Sequence, residues 1–130
     1  MLLVDSNLWF KFFWRLPLPK RLLHRIESEP LSLSPISVLE IATKIRKGYL
    51  PGIPPIEQWL ATAIDGYTIV GVTPEIAAAA GTDQWNHRDP ADRLIVHTAL
   101  GNGLTLIHTD SIIRKRTDLK QAYFKLPSPA

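Results

Sequence analysis

Four short apolar runs punctuate this chain: Leu2-Leu3-Val4, Leu31-Ser32-Leu33, Tyr67-Thr68-Ile69-Val70 and Leu104-Thr105-Leu106-Ile107. Each is too short for a buried helix, and each is flanked by turn formers or caps, so each reads as a strand. The segments between them have helical character. Parallel neighbours in a sheet can be reached only through a crossover, so strands alternating with helices imply a parallel sheet with helices on both faces. The expected fold class is therefore α/β, three layers deep, with a mainly parallel central sheet. At 130 residues, with no internal repeat and no low-complexity stretch, residues 1–130 form one domain with enough chain for a real core.

The connecting segments carry their own signals. A Trp/Phe-rich stretch, residues 8–14, reads as a helix broken by Pro17 and Pro19. Residues 20–27 read as a second helix, with Leu22, Leu23 and Ile26 on one side. Ser34-Pro35 supplies an N-cap followed by a proline at the first helical position, and that helix should run to about Lys47, where Gly48 ends it. Short helices are expected at 56–64, at 74–80 with Gly81 as the stop, and at 111–115. Asp89-Pro90 opens a helix through about Leu100, closed by Gly101-Asn102-Gly103. Residues 123–126 read as a last edge strand, and residues 127–130 as a loose tail.

Composition narrows the chemistry. The chain has no cysteine, which excludes disulfides, thiolate nucleophiles and Cys-based metal clusters. Any metal must be held by carboxylates or histidines. No apolar run approaches a membrane span, and Asp5 stands where a secretory leader would be apolar, so a cytoplasmic protein without membrane contact is expected. The net charge is +3. Between Asp5 and Glu27 the charged residues are Lys11, Arg15, Lys20, Arg21 and Arg25, all cationic, and Lys44-Arg46-Lys47 and Arg114-Lys115-Arg116 form further clusters. Such clusters are either a solvated surface or a phosphate-tracking one.

In a parallel sheet every strand ends at the same edge, which is where open α/β folds bind ligands. Asp5 follows the first strand and Asp110 the fourth. Glu40 lies two turns into the helix after the second strand, and Asp89 and Asp92 lie at the start of the helix feeding the fourth. Each acid also has a purely structural reading. Asp5, Asp110 and Asp89 can be N-caps. Asp92 suits a helix dipole. Glu40 can close a capping box with Ser37 or pair with Lys44 one turn on. As a set they are harder to explain structurally, because clustered carboxylates repel one another and raise each other's pKa unless a cation neutralises them. Oxygen donors of this kind suit Mg2+ or Mn2+ and phosphoester chemistry.

These residues also carry a resemblance. Leu2-Leu3-Val4-Asp5-Ser6-Asn7 looks like the opening of a PIN domain. Ser34-Pro35-Ile36-Ser37-Val38-Leu39-Glu40-Ile41-Ala42, followed by Lys44 and Gly48-Tyr49-Leu50, is similar to that family's second acidic motif. Asp89-Pro90-Ala91-Asp92-Arg93-Leu94-Ile95-Val96, with Ala99, is similar to the third, and Leu104-Thr105-Leu106-Ile107-His108-Thr109-Asp110 to the fourth. All four stand in family order and span residues 2 to about 114. The chain thus resembles the PIN-domain ribonucleases, and among them the VapC-like toxins of toxin–antitoxin pairs.

The resemblance implies a PIN-like α/β/α sandwich with Asp5, Glu40, Asp92 and Asp110 as the catalytic acids around Mg2+ or Mn2+. Asp89 is auxiliary or a cap, Thr109 orients Asp110 or a water, and Ser6, Asn7 and Arg93 are auxiliary, Arg93 steadying a carboxylate, meeting a phosphate or forming a structural ion pair. The resemblance implies an RNA substrate cut to 3′-hydroxyl and 5′-phosphate ends, a cognate antitoxin partner and a homodimer. The sequence departs from the family at Ala91, where many relatives have an aromatic residue, and at Val38-Leu39, where many have a Trp. Two other readings remain: a catalytically silent binding module acting within a repressor complex, and a metal-dependent phosphoesterase acting on DNA. An Asp-nucleophile phosphatase would want a second Asp where Asn7 stands. His24, His87, His97 and His108 show no metal-ligand spacing and are expected to serve packing or surface roles. The surplus of aromatic residues between Trp9 and Trp14 goes mostly to the core, with part left for a partner helix or a dimer seam.

Overall fold

The computed structural model describes residues 1–126; the tail expected to be loose, 127–130, lies outside the described residues. Five strands, β1 (Leu2–Val4), β2 (Leu31–Leu33), β3 (Tyr67–Ile69), β4 (Thr105–His108) and β5 (Gln121–Tyr123), form one sheet in the order β3-β2-β1-β4-β5. All four pairings are parallel, so the sheet is parallel throughout rather than mainly so. Each strand pair is joined through helix or turn: α1 (Ser6–Phe13) and α2 (Lys20–Glu27), then α3 (Pro35–Arg46), then α5 (Pro74–Thr82) and α6 (Pro90–Asn102), with α4 (Leu60–Ala63) before β3.

Side chains on a strand alternate between faces, and β1 builds two cores by that rule. Leu2 and Val4 join Leu8, Trp9, Leu22, Ile26, Leu33 and Ile41 on one face of the sheet, while Leu3 joins Ile95, Val96, Ala99 and Leu106 on the other. All three β1 residues are buried, which is why the strand reads as an unbroken apolar run rather than an alternating one. Trp9 is fully buried, and its indole donates to Ala63 O at 2.8 Å, fastening α1 to α4.

Boundaries move where side-chain caps or packing override the local signal. The first helix begins at Ser6, two residues earlier than its aromatic stretch suggests, because Asp5 caps it through the Leu8 amide. Gly81 and Gly101 do not stop their helices; α5 runs on to Thr82 and α6 to Asn102, and the left-handed Gly103 (φ 64°) ends the latter. A Cβ added to Gly101 would lie 3.3 Å from Ile76 Cγ1, so the glycine serves the close approach of α5 and α6. The expected helix at 56–64 divides into a 3-10 turn, Ile56–Gln58, and α4, and the one at 111–115 is a 3-10 turn at Ile113–Lys115. The last strand sits earlier than expected, at Gln121–Tyr123. Among the described residues no helix is long and apolar enough to cross a membrane.

Candidate active site

The strand order puts β1 and β4 side by side at the centre of the sheet, so the residues that follow them leave the same edge as neighbours. Asp5 ends β1 and caps α1: one carboxylate oxygen accepts from the Leu8 amide at 2.8 Å and the other from the Thr109 amide at 3.3 Å. The cap reading of Asp5 is therefore correct as far as it goes. The second oxygen goes further, tying the end of β1 to the segment after β4. Thr109 thus holds Asp5 through its backbone, while its hydroxyl accepts from Asn7 Nδ2 at 3.4 Å.

Glu40 comes in from α3. Ser34, not Ser37, caps that helix, accepting from the Ile36 amide at 3.1 Å, so no capping box forms with Glu40. The Glu40 carboxylate instead accepts from Ser6 Oγ at 2.5 Å, and Ser6 Oγ lies 2.9 Å from the buried Ser37 Oγ. Lys44 is exposed and makes no ion pair with Glu40 among the described residues.

Asp110 is fixed by two amides, Ile112 N at 2.7 Å and Ile113 N at 3.0 Å, and its own amide donates to His108 Nδ1 at 3.0 Å. His108, fully buried, is held from the other side by Gln121 Oε1 at 2.7 Å. Asp89 caps α6 through the Ala91 amide at 2.9 Å, and Asp92 sits in the first turn of that helix. Its partner was not legible in the sequence. His87 Nε2 lies 2.8 Å from Asp92 Oδ2 and 3.3 Å from Asp110 Oδ2, joining the third and fourth acids. The only sequence sign of this was its position, two residues ahead of the Asp89 cap. Arg93 turns away from the acids. Its guanidinium donates to the carbonyls of Ala80, Trp85, His87 and Asp83, clasping the segment that carries His87.

The electrostatics follow from the crowding. Burial pushes the Asp5 carboxyl up to about 6, with the Glu40 and Asp110 charges adding to it, although the Leu8 and Thr109 amides pull the other way. Asp92 is pushed up to about 7 by burial and by the neighbouring charges of Asp89 and Glu40. Burial raises Glu40 as well, against the Ser6 hydrogen bond. Asp110 differs: burial works against it, yet the Ile113 and Ile112 amides and His87 hold its carboxyl below the usual range. Two overlapping groups bring potential ligand atoms within 4.8 Å of one another, Glu40-Asp89-Asp92 and His87-Asp92-Asp110. A cluster of carboxyls with raised pKa values, rich in oxygen donors, fits a hard divalent cation, which would remove the repulsion that raises them.

The structure thus gathers Asp5, Glu40, Asp92 and Asp110 at one edge, with Asp89, Ser6, Asn7 and Thr109 around them, and leaves Arg93 outside. A family model for the PIN domain matches residues 2–119. A protein named ribonuclease VapC22, from Mycobacterium tuberculosis, is 32% identical over 88 residues, covering 67% of this chain and 68% of its own length. In fold, the chain is similar to VapBC2 from Rickettsia felis, solved bound to a promoter DNA fragment (TM-score 0.70, 13% identity, 95% of this chain and 98% of that one). It is likewise similar to FitAcB from Neisseria gonorrhoeae (TM-score 0.65, 20% identity, 93% and 96%). With the four acids in family order along the sequence, and the family model spanning nearly all of it, the chain belongs to the PIN domain family.

Proposed function

We propose that this chain is a Mg2+-dependent endoribonuclease, with Mn2+ able to replace Mg2+, and that it acts as the toxin of a toxin–antitoxin pair in the cytoplasm. The observation that carries the reading is the convergence of Asp5, Glu40, Asp92 and Asp110 on one sheet edge, two of them with carboxyls driven up to about 6 and 7. Structural caps alone do not account for that. Asp5 and Asp110 are caps, but Glu40 and Asp92 cap nothing and sit where their charge is costly.

A divalent cation at this edge supplies charge neutralisation for the phosphoryl oxygens and activation of a water nucleophile. The chain's residues supply the rest. Asp5 and Asp110 are fixed by backbone amides, Glu40 by Ser6 and Asp92 by His87, so the oxygen atoms are set in place before any ligand arrives. Arg88 and Lys44, both exposed and close in sequence to Asp89 and Glu40, would hold the RNA backbone.

The relative's name, ribonuclease, supports RNA over DNA as substrate. A similar structure described as a toxin–antitoxin complex from Klebsiella pneumoniae supports a cognate antitoxin, which would cover the acidic edge; a homodimeric toxin is part of the same proposal. A binding module without activity would have no use for four acids held in this way.

The test is cleavage of a mixed RNA pool by purified protein with Mg2+, with Mn2+ and with EDTA, beside Asp5→Asn. Cation-dependent cutting that Asp5→Asn lacks, while retaining its fold by circular dichroism, is the expected result. A well-folded protein that cuts nothing with either cation would overturn the reading.

A further inference from the structure

Among the described residues, His87 is the one at the acidic edge whose side chain touches two of the acids without being an acid itself. Its Nε2 lies 2.8 Å from Asp92 Oδ2 and 3.3 Å from Asp110 Oδ2. By composition, His87-Asp92-Asp110 is a plausible ligand trio, since imidazole nitrogen is a common metal donor. The surroundings of the ring argue otherwise. The Asp89 amide donates to His87 Nδ1 at 3.4 Å, which makes Nδ1 the acceptor and leaves the ring hydrogen on Nε2. A nitrogen that donates its hydrogen to carboxylates has no lone pair to offer a cation.

The ring is also fixed. It is buried, Trp85 meets it edge-on with centroids 4.9 Å apart, and the His87 carbonyl accepts from Arg93 Nη1 at 3.0 Å. Arg93 in turn binds the Trp85 carbonyl at 2.9 Å, so the Trp85–His87 pair rests on a guanidinium anchored in α6, the helix that also carries Asp92. His87 and Asp92 are therefore both tied to α6, while Asp110 reaches the ring from the end of β4.

We propose that His87 is the positioning residue of the metal centre. Its Nε2–H holds Asp92 and Asp110 together and sets which of their oxygens face the cation, which itself meets oxygen atoms alone. Hydrogen-bond donors that stand behind ligating carboxylates act in this way generally. The inference rests on the reading above, that the acidic edge holds a divalent cation.

The experiment is Mn2+ binding to the purified chain by calorimetry, joined to electron spin-echo spectroscopy of the bound Mn2+, for the wild type, His87→Ala and His87→Gln. Glutamine keeps an N–H donor at a similar reach. His87→Ala should weaken Mn2+ binding about 10–100-fold, while His87→Gln should stay within about threefold of the wild type. The wild-type spin echo should lack the nitrogen coupling of a directly bound imidazole. A strong coupling that disappears in His87→Ala would make His87 a ligand and overturn the proposal. Unchanged affinity in His87→Ala, or a loss in His87→Gln as large as in His87→Ala, would also overturn it. A wild-type chain that binds no Mn2+ would bring down the metal reading itself, and this inference with it.

Discussion

Ser6 Oγ donates to Glu40 Oε1 at 2.5 Å, across 34 residues of sequence, and so joins the helix that follows β1 to the helix that follows β2. Glu40 stands two turns into α3, too far from the end of β2 to be aimed by the strand itself. The Ser37–Ser6–Glu40 hydrogen-bonded chain, with Ser6 in the middle, is what fixes its direction. Ser6→Ala removes the donor and leaves Glu40 raised by burial with nothing to oppose it except Lys44. Loss of one side-chain hydrogen bond of about 1 kcal/mol corresponds to roughly fivefold weaker cation binding. Calorimetric titration with Mn2+ should show that loss with the fold intact; an unchanged titration would mean that Glu40 is held by something else.

The raised carboxyls also set how stability varies with pH. In the unfolded chain Asp5 and Asp92 ionise near 3.8; in the folded chain they do so at about 6 and about 7. Over that interval the folded state keeps protons that the unfolded state has released. Their contribution is fully present at low pH and is lost as pH rises through the folded values. Asp110 runs in the opposite sense, lower on the scale: its stabilising contribution is present above the ordinary carboxylate pKa and is lost on acidification below it. The metal-free protein should therefore melt at a lower temperature at pH 7.5 than at pH 5, and Mg2+ should restore most of the difference at pH 7.5 and little of it at pH 5. A metal-free melting temperature that rises across this interval would contradict the site's electrostatics.

Arg93 yields a prediction that the sequence alone would have misdirected. Set beside Asp92, it invites the reading of a phosphate or carboxylate contact. The structure turns it toward four backbone carbonyls in residues 80–87. Arg116 also grips this segment, pairing with Asp83 at 2.8 Å and lying 4.6 Å over the Trp85 ring, but the backbone carbonyls themselves rely on Arg93, so Arg93→Met leaves several part-buried carbonyls unpaired, at about 1–3 kcal/mol for each group that water cannot reach. Arg93→Lys should recover little, because an ammonium cannot reproduce the planar fork. Both variants should melt early and bind Mn2+ weakly, the second effect following from a displaced His87. A variant of normal stability that fails only in RNA binding would show instead that Arg93 meets substrate.

How far the sequence could be read depended on whether a feature was local. β1, α2 and β2 begin and end where apolar runs, prolines and caps place them, since those signals act within a turn or two. The all-parallel order and the meeting of Asp5 with Asp110 follow from alternating elements, together with the rule that parallel strands share an edge. What was hidden was side-chain pairing between distant segments. Ser37 and Glu40 have capping-box spacing, but Ser34 takes the cap and Ser6 takes Glu40. His87 has no ligand spacing to any other histidine, and becomes part of the site only because α6 and the end of β4 meet in space. Gly81 and Gly101 look like helix stops until the α5–α6 contact, where only a hydrogen fits easily against Ile76, gives Gly101 another reason.

Asp89 and Asp92 lie three residues apart and can be separated by experiment. Asp89 is exposed and accepts from the Ala91 amide as the cap of α6; Asp92 is partly buried and accepts from His87. Asparagine caps a helix about as well as aspartate, so Asp89→Asn should leave thermal stability almost unchanged while removing one of the charges that raise Asp92. The Asp92 carboxyl should then ionise at a lower pH, and cation affinity should fall about tenfold or less, as expected when a neighbour rather than a main ligand is lost. Asp92→Asn keeps the shape, removes the buried charge that His87 and the cation share, and should abolish cleavage. Its metal-free melting temperature at pH 7.5 should rise, because a neutral amide no longer repels Glu40 and Asp89. Parallel melting curves and RNA cleavage assays on the two variants decide the matter: if Asp89→Asn is as inactive as Asp92→Asn, Asp89 is a ligand in its own right and the capping role is secondary.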